Sequence, residues 1–200
     1  MKNVLITKNL QFIKQRNELL ETVDINYLKF IQSINFNPYP ISSFITNFEE
    51  HMKNINPLGI ILTGGCDIGK FKQRDNFEKK LIKYGIKKKI PIVGICRGMQ
   101  VVNNYFKGKL KKIKQHVNIK NQVIEIKTQK KRYVKCFHNF TLIKKSLFKE
   151  FDITHISTKD SSIESISNYK KKIFGLMWHP EREIPFKEED KKIIKYYLKL

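Results

Sequence analysis

No stretch of this sequence approaches 18 uninterrupted apolar residues, which excludes a membrane-spanning helix of the ordinary kind. Cysteine is scarce: Cys66, Cys96 and Cys136 are odd in number, far apart and without a CxxC pair. That spacing argues against a disulfide framework and against a zinc site, and it fits a reducing cytoplasm. Arginine is nearly as rare, with five residues against 35 lysines in a chain of formal charge +22. No helix-turn-helix, zinc-finger or RRM signature accompanies the basic residues, so nucleic acid is not an expected partner. Lysine, isoleucine and asparagine have A/T-rich codons, and base composition accounts for part of the charge. The rest is a general positive field that attracts phosphate groups. Met1–Thr7 has one basic residue and a short apolar run but no small-residue cleavage site. It reads as a first strand rather than a signal peptide.

What is present is enough apolar content for a core. Forty per cent hydrophobic residues over a length of 200 suits one domain, residues 1–200, without an internal repeat or a flexible linker. Buried strands are expected at Asn3–Thr7, Leu58–Leu62 and Ile90–Ile95. Helices are expected at Phe44–Met52, Asn76–Lys88 and Met99–Phe106, and Tyr27–Ile31 has helical spacing. Phe12–Glu21 reads as a short helix or loop, and Asn37–Ile41 as a proline-punctuated connection. Val123–Lys127 and Tyr133–Phe137 alternate, which predicts antiparallel strands or a hairpin on the sheet flank. Ile153–Ser157, Ser162–Ile166 and Ile173–Trp178 give further strands, and Glu188–Leu200 an amphipathic closing helix. The alternation of strands with helices predicts an α/β protein with a largely parallel sheet covered on both faces.

Gly94, Cys96 and Gly98 form a G-x-C-x-G turn between an apolar strand and a helix. Strand, sharp turn, helix is the context of a nucleophile elbow, which projects its central side chain beside a helix N-terminus. Positive potential there favours a thiolate. On spacing alone, a buried core cysteine in an ordinary turn is an equal reading. His179 and Glu181 flank Pro180 at the end of a strand. Positions i and i+2 face the same side, so the carboxylate can orient the imidazole. A surface His-Pro turn is the bland alternative. Gly64-Gly65 ends its own strand on the same sheet edge, where the amides of Gly65 and Arg97 are placed to form an oxyanion hole.

Gly-Ile-Cys-Arg-Gly-Met-Gln (94–100), Leu-Thr-Gly-Gly-Cys-Asp (62–67) and Trp-His-Pro-Glu (178–181) together resemble the motifs of class I glutamine amidotransferases. Gln73-Arg74-Asp75 with Glu78, Gln115-His116, Phe137-His138-Asn139, Ser157-x-x-Asp160 and Ile163-Glu164 look like the gamma-glutamyl hydrolase branch. The resemblance implies a three-layer, flavodoxin-like fold with a mostly parallel central sheet and a small antiparallel flank. It implies a triad of Cys96, His179 and Glu181, an oxyanion hole at Gly65 and Arg97, and thioester chemistry without metal or organic cofactor. Gly64, Gln100 and main-chain groups near His138 and Asn139 would hold the glutamyl group. Arg74 and Asp75 either line that pocket or form a surface ion pair. His116 and His138 receive no acid-base role, and Cys66 and Cys136 read as inert small hydrophobes. Thr63 replaces the usual proline, and Asn139-Phe140 stand where the branch has His-Gln. These departures bear on the leaving-group pocket. The resemblance implies a small gamma-glutamyl substrate, nucleotide-linked and anionic, with which the positive field is compatible, and candidate contacts lie in Lys107–Lys114 and Lys127–Lys135. No membrane and no obligatory protein partner are expected. A glutaminase subunit feeding ammonia to a synthetase, and a non-catalytic binding module, are the other readings.

Overall fold

The computed structural model describes residues 1–200. In chain order its elements are β1 (Asn3–Thr7), β2 (Asn9–Ile13), β3 (Glu18–Thr22), α1 (Ile25–Ser33), β4 (Asn37–Ile41), α2 (Phe48–Ile55) and β5 (Gly59–Leu62). They continue with α3 (Lys72–Lys88), β6 (Ile92–Ile95), α4 (Arg97–Tyr105), β7 (Leu110–Lys112), β8 (Val117–Glu125), β9 (Lys131–Phe137) and β10 (Phe140–Leu142). β11 (Asp152–Ser157), β12 (Ile163–Asn168), β13 (Ile173–Leu176) and α5 (Glu188–Leu198) complete the chain.

Nine strands form one sheet in the order β4-β1-β5-β6-β13-β12-β11-β8-β9. The period-two alternation of each strand sends neighbours to opposite faces. Val4 and Ile6 join Tyr27, Phe30 and Ile31 of α1 and Tyr197 and Leu198 of α5 on one side. Leu5, Ile60 and Leu62 meet Phe48 and Met52 of α2, Leu81 and Ile82 of α3, and Val101 and Val102 of α4 on the other. The expected helical layers on both faces are therefore present.

The expectation of a mostly parallel sheet needs correction. β4, β1, β5, β6 and β13 run parallel, but all four pairings from β13 through β12, β11 and β8 to β9 are antiparallel. The separate pairs β2-β3 and β7-β10 are antiparallel as well, so antiparallel pairings outnumber parallel ones. The flank is no small appendage but half of the main sheet. An apolar run such as β13, buried along its whole length, reports burial and not the direction of its neighbours, one of which is parallel and the other antiparallel. Phe12–Glu21 belongs to a hairpin, β2 and β3, rather than a helix or loop. Asn37–Ile41 is the edge strand β4, where Pro38 and Pro40 are tolerated because only one side of the strand is paired. No helix is long and apolar enough to cross a membrane.

Candidate active site

Cys96 stands between β6 and α4 with φ +53° and ψ −108°, a backbone conformation that L-residues rarely adopt. Its amide donates to the Leu176 carbonyl at 2.7 Å, which fixes the turn against the end of β13. The flanking glycines are steric necessities. A Cβ on Gly98 would lie 2.0 Å from the Leu62 carbonyl oxygen, and one on Gly94 would lie 2.6 Å from the Gly98 carbonyl carbon. The sulfur ends up 3.8 Å from the Phe137 carbonyl oxygen, beside the N-terminal end of α4.

β13 runs parallel to β6 with Leu176 level with Ile95, so the turns at the carboxyl ends of both strands emerge at one edge. His179 Nδ1 lies 2.7 Å from Glu181 Oε1, and both residues are buried. The His179 amide donates to the Lys135 carbonyl at 3.0 Å, tying this segment to β9. A methyl group on Gly64 would touch His179 Cε1 at 3.0 Å and Cys96 Cβ at 3.7 Å, so imidazole and thiol border the same point. Burial by itself would lower the His179 pKa. The Cys96 sulfur and the Glu181 carboxylate outweigh it and raise the value to about 9.

The Gly64-Gly65 loop is held from three directions. Tyr27 of α1 accepts the Gly64 amide at 3.1 Å. Burial, together with the charges of Glu181 and Cys96, pushes the Tyr27 phenol well above its usual pKa. Asn9 accepts the Cys66 amide at 3.2 Å. Arg74 donates to the Thr63 carbonyl at 3.0 Å and the Gly64 carbonyl at 2.9 Å. Gly65 itself has φ +132°, which favours glycine, and its amide has no acceptor within the protein.

Arg74 and Asp75 are both buried and so form no surface ion pair. The Arg74 guanidinium is fully buried and also bonds Glu78 at 2.9 Å and Asn9 at 2.6 Å. Asp75 accepts the Gly69 amide at 2.8 Å and pairs with Arg97, which also pairs with Glu78. This pairing draws the Arg97 side chain away into the network. Gln100 lies one turn beyond Cys96, its amide 3.8 Å from Met177 Sδ. His138 Nδ1 meets the Phe140 carbonyl at 3.0 Å and its Nε2 faces Glu164 at 3.6 Å without a hydrogen bond, while Asn139 is exposed and its carbonyl accepts from Ile113.

Of the two lysine runs, Leu110–Lys112 pairs with Phe140–Leu142 and so adjoins Asn139. Lys131 is six residues from Phe137 along β9, about 20 Å away. Lys127, Lys130 and Lys131 instead border a groove of about 900 Å³ with Glu189 and Tyr196, a groove that none of Cys96, His179 and Glu181 lines. Sequence reasoning missed Tyr27 and Asn9. Tyr27 had only helical spacing to mark it, and Asn9 precedes no recognisable motif.

Residues 28–198 match the family model of glutamine amidotransferase class-I. The gamma-glutamyl-CDP-amidate hydrolase of Campylobacter jejuni subsp. jejuni is 34% identical over 157 residues, covering 74% of this chain and 73% of that protein. The carbamoyl phosphate synthase small chain of Gracilaria tenuistipitata var. liui is 32% identical over 157 residues, covering 78% of this chain but only 38% of that protein. A glutamine amidotransferase structure from Thermotoga maritima, 17% identical, has a TM-score of 0.66 with 99% of this chain and 95% of that one covered. With the family model spanning most of its length and a relative covered over nearly three quarters of both sequences, this chain belongs to the class I glutamine amidotransferase family and is a hydrolase of that kind.

Proposed function

We propose that the chain is a cysteine-dependent hydrolase that splits gamma-glutamyl-CDP-amidate into glutamate and cytidine diphosphoramidate, residues 1–200 acting as one catalytic unit. The Cys96 thiolate attacks the gamma carbonyl, and the carbonyl oxygen becomes an oxyanion held by the amides of Gly65 and Arg97, each worth about 3 kcal/mol. The carbon–nitrogen bond breaks as His179, oriented by Glu181, gives its proton to the departing nitrogen. Water then attacks the thioester while His179 takes its proton, and glutamate leaves. Gly64, Gln100 and the main chain of residues 137–139 border the glutamyl group. Lys111, Lys112 and Lys114, on the segment beside Asn139, supply the cationic field for a diphosphate. The observation that carries the chemistry is the shared contact point of Cys96 and His179 across Gly64. The likeness to the Campylobacter hydrolase supports the substrate, and a place in capsule phosphoramidate synthesis is part of the same proposal.

Likeness to the carbamoyl phosphate synthase small chain favours a second reading, a glutaminase subunit that passes ammonia to a synthetase. Incubation with gamma-glutamyl-CDP-amidate, gamma-glutamyl-aminobutyrate and glutamine in parallel separates the two. Glutamate release fastest from the CDP-amidate is expected. Preference for glutamine establishes the ammonia donor instead, preference for the aminobutyrate amide moves the substrate assignment, and no release from any of the three overturns the hydrolase.

A further inference from the structure

Behind the elbow, on the antiparallel side, four side chains that the proposed reaction does not use converge. His116 immediately precedes β8, Cys136 lies near the end of β9, His138 comes just after that strand, and Glu164 is on β12. All four are buried, and one ligand atom from each lies within 4.8 Å of the others. We propose that His116, Cys136, His138 and Glu164 form a tetrahedral site for a divalent transition metal, zinc being the ion best suited to this donor set.

The imidazole distances separate this from a fully hydrogen-bonded network; among the four, only the thiol makes a bond, a long one, to the carboxylate. A charge-assisted N–H···O bond is about 2.7–2.9 Å long. His116 Nδ1 is instead 3.4 Å from Glu164 Oε1, and His138 Nε2 is 3.6 Å from Glu164 Oε2. Cys136 Sγ is 3.7 Å from that same oxygen. With metal–N and metal–O bonds of about 2.0–2.2 Å and metal–S of about 2.3 Å, the edges of a tetrahedron are about 3.3–3.8 Å. These three separations lie in that range, and the widest pair of donors, within 4.8 Å, draws in when an ion binds. Both facing ring nitrogens are buried and without a hydrogen-bond partner.

The far sides of the rings are prepared in the way metal-bound imidazoles require. His116 Nε2 lies 3.0 Å from Asp160 Oδ2, and His138 Nδ1 lies 3.0 Å from the Phe140 carbonyl oxygen. Each acceptor holds a proton on that nitrogen and turns the lone pair of the other inward. Asn121 and Ser162 donate to Glu164 Oε1 at 3.1 and 3.3 Å, orienting the carboxylate. Charge agrees: a dication with one thiolate, one carboxylate and two neutral imidazoles is neutral, as a buried site must be. Without a cation, burial and the nearby Glu164 carboxylate push the Cys136 thiol far up and keep it protonated. Cys136 and His138 flank Phe137, whose carbonyl faces Cys96 Sγ. An ion here pins that carbonyl, whatever substrate the enzyme takes.

The test adds Co(II) alone to chelator-stripped Cys96→Ser protein, which removes the reactive thiol as a competing ligand. One equivalent is expected to give the intense visible bands of tetrahedral cobalt and a sulfur-to-cobalt charge-transfer band. Cys136→Ser in that background is expected to lose the charge-transfer band, and Cys66→Ser to keep it. Asp160→Asn changes only a partly exposed outer group, so its fold is safe, and it is expected to weaken Co(II) binding about 10- to 100-fold. Absence of saturation at one equivalent, a charge-transfer band that survives Cys136→Ser, or unchanged affinity in Asp160→Asn overturns the site.

Discussion

In the parallel half of the sheet, Arg74 and Arg97 meet Asp75 and Glu78 in direct contact, two cations against two anions, with Thr7 adding a hydrogen bond at 3.1 Å to Glu78. In the antiparallel half, one carboxylate faces two imidazoles at 3.4 and 3.6 Å without a hydrogen bond to either, and a thiol whose one bond to it is long at 3.7 Å. The first cluster is neutral and closed by itself. The second, with its thiol protonated, carries one negative charge, and it balances when one proton enters it or when a dication displaces the thiol proton. Both brace the walls of the same elbow, one through the Thr63-Gly64 carbonyls and the other through Phe137. A charged cluster can thus complete itself within the chain or await something from solvent, and distance tells which.

The sharpest way to break this contrast is Glu78→Ala. It strips Arg74 and Arg97 of a shared buried partner and is expected to cost about 3–5 kcal/mol in urea unfolding. Glu164→Gln in chelator-treated protein should cost less, about 1–2 kcal/mol, since it removes a charge with no short ionic bond. An equal loss in the two variants ends the distinction. Between the clusters, Cys96→Gly relieves the left-handed backbone and is expected to stabilise by about 1 kcal/mol while turnover disappears, which unfolding and rate measurements read together. The remaining effect is in pH. The His179 value of about 9 in the folded state lies above its ordinary 6.5, so the folded protein holds that proton more tightly. The resulting stabilisation is complete below pH 6.5 and fades as pH rises through 9. The difference in unfolding free energy between wild type and His179→Gln should shrink across that range, and a constant difference would refute the coupling.

The elbow was legible because sterics leave few options there: the Leu62 carbonyl beneath Gly98 and the backbone near Gly94 admit only glycine. The neighbouring strands β6 and β13 were legible as apolar runs, and their parallel pairing is what brings residues 96 and 179 to one edge. Strand direction at β12 and β11 was not, since burial says nothing of direction, whereas the alternation of Val123–Lys127 and Tyr133–Phe137 did foretell the antiparallel pairing of β8 with β9. The start of α3 was hidden for a different reason. Its first turns bury Arg74, Asp75 and Glu78, polar residues that carry no apolar period, so the pattern placed the helix at Asn76 instead of Lys72. The β2-β3 hairpin was obscured because its strands are mostly half-buried or exposed and mix side-chain types.

Tyr27 lies one residue outside the span, 28–198, that matches the family model. Trimming the protein to that span would remove the hydroxyl that holds the Gly64 amide, and with it β1, the strand seated between β4 and β5. The span matched by the family model and the span that braces the Gly64 loop thus differ by one strand, one hairpin and one phenol.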